Sequence, residues 1–207
     1  MGKRIISQRR GRGTSTYKAH SHRWNIAINH RRYDEIEQEG SMSGVVKDLT
    51  HCAGHTAPIA IIKYDNGEYN YIFAPLGMKV GDRVNTGAKA EPTLGSTLAL
   101  RNIPEGTQIY NIETKPAGGG SLVRASGATA KLSTITEKGV LVIMPSRKQK
   151  LFNPECRATI GRIAGGGKKE KPFVKAGNKF HAMKAKGKLY PRTSGVAMNA
   201  VDHPFGS

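Results

Sequence analysis

Short β-type apolar runs follow one another from about residue 43 to residue 163, and outside those limits they stop. Val45-Val46-Lys47-Asp48-Leu49 is the first. Pro58 then opens Ile59-Ala60-Ile61-Ile62-Lys63-Tyr64, and Tyr69-Asn70-Tyr71-Ile72-Phe73-Ala74 follows. Asp65-Asn66-Gly67 separates the last two. Asn-Gly between β-rich runs predicts a hairpin through a type I′ turn, which needs positive φ twice. Pro75-Leu76-Gly77 and Val80-Gly81-Asp82 mark turns before a short strand at Arg83-Val84.

A second set starts near Thr97. Thr97 to Ile103 and Gln108 to Thr114 are strand-like, with Pro104-Glu105-Gly106 turning between them, and residues 115–120 form an open loop. Ser121 to Arg124, Thr129 to Thr136, Val140 to Met144 and Arg157 to Ile163 complete the set. Short strands separated by turns every eight to twelve residues are the signature of small barrels, and two sets predict two barrels meeting near residue 96. Helix-period patterns are almost absent, apart from a short turn expected around Arg31 to Gln38, so an α/β enzyme scaffold is disfavoured.

The flanks have no apolar period. Residues 1–33, including Gln8-Arg9-Arg10-Gly11-Arg12-Gly13, read as an extended arm. A second arm opens at Ala164-Gly165-Gly166-Gly167-Lys168-Lys169. It continues through a stretch from Lys175 to Lys188 with a cation every two to five residues. One helical turn on a partner is expected there, whereas Gly177 and Gly187 oppose a stable free helix. The predicted organisation is an arm over 1–36, barrels over 37–96 and 97–170, and an arm over 171–207.

Charge sharpens this division. Of the net +18, residues 1–33 supply +9 and residues 161–207 supply +8, which leaves +1 for the 127 residues between. The cationic arms cannot bury a core, and they repel one another unless a polyanion neutralises them. Nucleic acid is the partner that rewards the pattern, because each neutralised phosphate releases condensed counterions. The 6% aromatic content and single Trp are thin for a large enzyme core. Cys52 and Cys156 have no metal or redox spacing and fit a reducing compartment. The first residues contain no apolar run long enough for a signal peptide or membrane span, so the expectation is a cytoplasmic chain without a membrane partner.

Three constellations invite chemistry. Gly165-Gly166-Gly167-Lys168 is not a phosphate-binding loop: the required first glycine would fall at Arg162, and no Ser or Thr follows the lysine. His51-Cys52-Ala53-Gly54-His55 offers zinc ligand types with no second cluster to complete a tetrahedron, so a polar loop facing solvent or RNA is favoured. Asp202-His203 places a carboxylate beside an imidazole, but adjacent residues of an extended chain point opposite ways. A structural hydrogen-bonding role for His203 is therefore favoured over a hydrolase or nuclease site.

Four stretches resemble a known family: Gln8-Arg9-Arg10-Gly11-Arg12-Gly13-Thr14-Ser15, Cys156-Arg157-Ala158-Thr159-Ile160-Gly161, Pro172-Phe173-Val174-Lys175-Ala176-Gly177-Asn178-Lys179 and Gly195-Val196-Ala197-Met198-Asn199-Ala200-Val201-Asp202-His203-Pro204. Together they resemble the universal large-subunit ribosomal protein two family, in its archaeal and eukaryotic branch, over residues 2–206. The resemblance implies a mostly β fold: an oligonucleotide-binding-fold (OB-fold) barrel, then an SH3-like barrel, with both termini threaded into large-subunit ribosomal RNA. It also implies neighbouring ribosomal proteins and the small subunit as partners, tRNA contacted indirectly, and support for the peptidyl-transferase region. It does not imply an enzyme or a dedicated cofactor, beyond Mg²⁺ ions that can bridge RNA contacts. The expected RNA contacts in the first arm are Arg9, Arg10, Arg12, Arg23, Arg31 and Arg32. Those that follow the barrels are Lys168, Lys175, Asn178, Lys179, Lys184 and Lys186. Met198, Asn199 and His203 lie nearest the reaction region, where His203 acts as a prop. The family pattern usually runs past His-Pro-Phe-Gly into a glycine run and a further basic tail, whereas Phe205-Gly206-Ser207 closes the sequence here. Lys188 to Ser194 matches the family pattern more loosely.

Overall fold

The computed structural model describes residues 2–18 and 20–207. It divides into two compact units: residues 24–168, and the residues up to Arg23 together with Lys169–Ser207.

The larger unit is β. Its strands are β1 (Met42–Thr50), β2 (Ile59–Tyr64), β3 (Tyr69–Phe73), β4 (Arg83–Thr86), β5 (Thr97–Ala99), β6 (Gln108–Tyr110), β7 (Ile112–Glu113), β8 (Gly120–Leu122), β9 (Ala130–Thr136), β10 (Gly139–Ile143), β11 (Gln149–Phe152) and β12 (Arg157–Ile160). Ten of them form one continuous sheet in the order β11-β10-β9-β6-β12-β5-β4-β1-β2-β3, while β7 and β8 pair separately. The two predicted sets thus occupy the two halves of one sheet. They join where β4 meets β5 in parallel through Thr86 and Thr97, and the other pairings are antiparallel.

Burial follows the sheet halves. Val46, Ala60, Ile62, Ile72 and Val84 pack in the first half, and Leu98, Leu100, Ile109, Leu132, Val140 and Ala158 in the second. A third cluster sits between them. It joins Ile28, Cys52, Ile59, Phe73, Tyr110 and Ile163, and the Tyr110 hydroxyl donates to the Phe73 carbonyl at 2.7 Å. These side chains make the two halves one compact body, since the shared apolar surface is lost to water if they part.

Several expectations change in detail. The β2–β3 hairpin forms, with Lys63 opposite Tyr69, but Gly67 alone of the turn residues has positive φ (86°). Gly67 N–H donates to the Tyr64 carbonyl at 2.9 Å and Tyr64 N–H to the Glu68 carbonyl at 2.9 Å. That is a three-residue connection with a glycine bulge rather than the type I′ turn. The run Gln108 to Thr114 splits at Asn111 (φ 50°) into β6 and β7, and Thr97 to Ile103 becomes a strand followed by a 3₁₀ turn over Leu100–Asn102. Strand β11 is not legible in the sequence, because its residues are mostly exposed and its polar Gln149 and Lys150 stand side by side with no apolar alternation. The predicted helical turn is α1 (Glu35–Glu39), capped by Asp34, whose carboxylate accepts from Glu37 N–H at 3.1 Å.

Residues 24–36, assigned from sequence to the first arm, pack within the larger unit: Ile28, His30 and Arg31 are all buried.

The smaller unit contains a 3₁₀ segment over Ile6–Arg12 and helix α2 (Ala176–Ala185). A helix of ten residues replaces the single turn expected, and Gly187 explains it. With φ 62°, Gly187 ends the helix in a left-handed conformation. Its N–H donates to the Lys184 carbonyl and Lys188 N–H donates to the Met183 carbonyl, at 3.1 and 3.0 Å. This paired closure satisfies two terminal carbonyls, so the glycine stops the helix where sequence logic had it opposing one.

Candidate nucleic-acid interface

Fifteen Lys or Arg residues and two acids lie in the smaller unit. None of its described residues is buried. Arg9, Arg10 and Arg12 occupy the last turn of the 3₁₀ segment, all exposed, with Gly13 turning left-handed behind them. Three guanidiniums within four residues, on a backbone with no side chain at Gly11, present forked donors to closely spaced phosphates.

The end of the chain closes on itself. Asp202 and His203 N–H groups both donate to the Asn199 carbonyl, at 2.9 and 3.2 Å, and Gly206 N–H donates to the His203 carbonyl at 2.9 Å. Phe205 N–H donates to His203 Nδ1 at 3.1 Å. Nδ1 is therefore an acceptor, which places the proton of the neutral ring on Nε2. Gly195 lies flat against that ring, where a Cβ would stand 2.4 Å from its atoms. The Asp202 carboxylate accepts instead from Lys3 Nζ at 3.4 Å, while Lys3 N–H donates to the Val201 carbonyl at 2.8 Å. Asp202 and His203 thus face different partners, as expected for neighbours in the chain. Met198 is half-buried and Asn199 exposed beside them.

Along α2, Lys175 precedes the first turn without a side-chain cap hydrogen bond, and Asn178 Nδ2 donates to the Phe173 carbonyl at 2.9 Å. Lys179 Nζ sits 5.1 Å from the Tyr190 ring centre, a cation–π contact, while Lys184 and Lys186 are exposed. Arg23 donates to the Ala185 carbonyl at 3.0 Å, which joins the two terminal segments. Lys168 and Arg32 are exposed on the larger unit.

Arg31 is the exception among the expected RNA contacts. Its guanidinium is 4% exposed and meets three carboxylates: Asp34 at 2.7 Å, Glu68 at 3.0 Å and Glu37 at 3.8 Å. The Asp34 hydrogen bonds hold it firmly protonated, and Asp34 is held below its usual carboxyl range by Arg31 in return. A buried cation engaged by acids is part of the interior, so its assignment to phosphates is corrected: removing it from this cluster would leave the buried Glu37 carboxylate with Arg157 as its one neighbouring guanidinium.

Arg157 extends the same network. Its guanidinium donates to Glu113 at 3.0 Å and to the Arg31 carbonyl at 2.7 Å, lies 3.6 Å from Glu37, and stands 5.1 Å from the Tyr33 ring centre. Burial raises the Glu37 carboxyl, against the Thr86 hydroxyl donating at 2.6 Å and the two guanidiniums. His30 Nε2–H donates to the Asn111 carbonyl at 2.7 Å, and burial, reinforced by Arg157, lowers its pKa to about 4.

A cleft of about 590 Å³ opens on the larger unit, lined by Trp24, residues 26–29 and 54–56, Phe73 and Arg124. Sequence reasoning placed His55 in a polar loop and singled out neither Trp24 nor Arg124. The lone Trp at the junction of arm and body was the available signal. His51 is exposed, and among the described residues no three His, Cys, Asp or Glu side chains gather as metal ligands.

A buried β body, a coreless cationic unit and an aromatic cleft together define a nucleic-acid-binding β protein. The comparisons with known proteins give the family. Residues 3–86 match the description "Ribosomal Proteins L2, RNA binding N-terminal domain", and residues 93–207 match "Ribosomal Proteins L2, C-terminal domain". The chain is 53% identical to the large ribosomal subunit protein uL2 of Methanothermobacter thermautotrophicus and 52% identical to that of Methanosphaera stadtmanae. Each alignment covers the whole chain and 86% of the relative. The chain belongs to the ribosomal protein L2 family.

Proposed function

We propose that the chain is a structural constituent of the large ribosomal subunit that binds large-subunit rRNA. The carrying observation is the smaller unit, with fifteen cations, two acids and no buried residue among those described. Such a unit has little apolar burial to offset the entropy of ordering it, so its stable form is the one surrounded by phosphates. The family match and the printed names of the relatives support the same reading.

The role extends to subunit association, tRNA binding and the shape of the peptidyl-transferase region, with His203 as a prop. The chain is not the catalyst in this reading, and two contacts support that: Asp202 engages Lys3, and His203 Nδ1 is taken by backbone. Neighbouring ribosomal proteins surround it, bridging Mg²⁺ ions assist its RNA contacts without a dedicated cofactor, and its location is the ribosome of the cytoplasm.

Sedimentation tests the assignment. The chain migrates in one-to-one ratio with large subunits through a high-salt wash, whereas loss in that wash identifies a transient RNA factor. In particles carrying His203→Ala, partial peptide-bond formation persists with assembly or tRNA placement altered. A loss of turnover of about 10² or more, with assembly intact, points instead to an acid–base catalyst.

A further inference from the structure

Trp24 lies at the mouth of the 590 Å³ cleft with 60% of its surface exposed. It is not a loose side chain. The His55 ring meets it edge-on, centroids 4.8 Å apart and planes at 83°, and His55 is itself set edge-on against Phe73 at 5.7 Å and 70°. Phe73 is buried in the apolar cluster between the two sheet halves, so this chain of rings is anchored in the core. Arg124, which also lines the cleft, stands 5.2 Å from the Phe73 ring centre. Its two terminal nitrogens donate to the Gly120 and Ile28 carbonyls at 2.9 and 2.8 Å, which fixes the guanidinium before any ligand arrives. His55 Nδ1 is buried without a hydrogen-bond partner.

An open aromatic face, a fixed cation beside it and a volume within the roughly 300–1,000 Å³ of small-ligand sites set the ligand's chemistry. The ligand carries a flat π-system to stack on indole and negative charge to meet Arg124. We infer that this cleft takes one unstacked nucleobase of single-stranded or looped RNA, stacked on Trp24, with its phosphate towards Arg124. The inference rests on the RNA-binding reading above and adds to it a base-accepting subsite on the body of the protein. Base-on-aromatic stacking is tolerant of sequence, because each base has a π-face, and preformed geometry lowers the cost of ordering.

The test uses the full chain and its single Trp, which makes intrinsic emission a local reporter of the cleft. A short oligoadenylate quenches Trp24 emission on binding, while an abasic oligomer of equal length and charge binds through its phosphates without that quenching. Trp24→Ala weakens labelled oligoadenylate by roughly 5- to 150-fold, leaves the abasic oligomer unchanged, and Trp24→Phe restores most of the loss. The exposure of Trp24 makes these substitutions mild for folding. Equal quenching by the two oligomers, or equal weakening of both by Trp24→Ala, overturns the subsite while leaving RNA binding in place. Adenosine monophosphate displacing the oligomer at matching concentration also overturns it, in favour of a free-nucleotide site. Failure of both oligomers to bind overturns the subsite and the RNA-binding reading together.

Discussion

Replacing Arg157 with Met strips the larger unit of its central buried cation. Arg157 and Glu113 side chains are 4% and 0% exposed, and they are joined by two guanidinium hydrogen bonds at 3.0 and 3.2 Å. The same guanidinium ties in the Arg31 carbonyl at 2.7 Å and faces Glu37 at 3.6 Å. Methionine fills much of the volume but leaves Glu113 with backbone donors alone, from Gly119 and Arg157 N–H. Breaking a buried pair from one side costs about 3–5 kcal/mol, most of it the uncompensated charge. With a urea slope of about 2 kcal/mol/M, the unfolding midpoint falls by roughly 1.5–2.5 M. Arg157→Lys keeps the charge without the fork and loses less. Adding Glu113→Gln to Arg157→Met recovers part of the loss, because the stranded charge is gone. The assay is urea unfolding of the full chain followed by far-ultraviolet circular dichroism and Tyr emission. A midpoint shift under about 0.5 M at unchanged slope, or no recovery in the double variant, refutes the view that this network is an interior ion-pair cluster.

Two further outcomes follow from the same contacts. The folded-state pKa of His30 is lowered by burial to about 4 from an unfolded value near 6.5, so the unfolded chain binds the extra proton first. Its contribution is complete above pH 6.5 and is lost as pH falls towards 4, by about 3 kcal/mol in all. Unfolding midpoints measured between pH 7 and 5 show this decline, and it flattens in His30→Asn. Gly187→Ala places a side chain at φ 62°, against the Lys18 carbonyl 3.1 Å from the new Cβ. The end of α2 frays at a cost of about 1 kcal/mol, read as faster amide exchange at Gly187 and Lys188, whose N–H groups close the helix.

Much of the β body was legible because its signals are local. The runs Ile59 to Tyr64 and Tyr69 to Ala74 form the strands they predict, since alternation and β-branched residues act within a few positions. Charge segregation was equally plain, because net charge needs no three-dimensional knowledge. What escaped depended on contacts distant in sequence. Nothing around Arg31 distinguishes it from Arg32, yet one meets Glu68 and Glu37 while the other is exposed. Residues 24–36 look like more of the polar arm, and only packing of Ile28 against Phe73 and Tyr110 brings them into the body. The cleft escaped for the same reason: Trp24, His55, Phe73 and Arg124 span a hundred residues and meet through the sheet. Helix α2 was underestimated because Gly187 was weighed by helix propensity rather than as a terminator.

The salt dependence of rRNA-fragment binding bears most directly on the claim that exposed arm cations, and not interior ones, hold RNA. Log affinity of the full chain falls linearly with log salt. Arg9, Arg10 and Arg12 changed together to Gln lower the magnitude of that slope by about 2–3. Arg31→Gln instead lowers the unfolding midpoint and leaves the slope as it was. A slope near zero for the unaltered chain, or one that drops with Arg31 and not with the three arm arginines, contradicts the account.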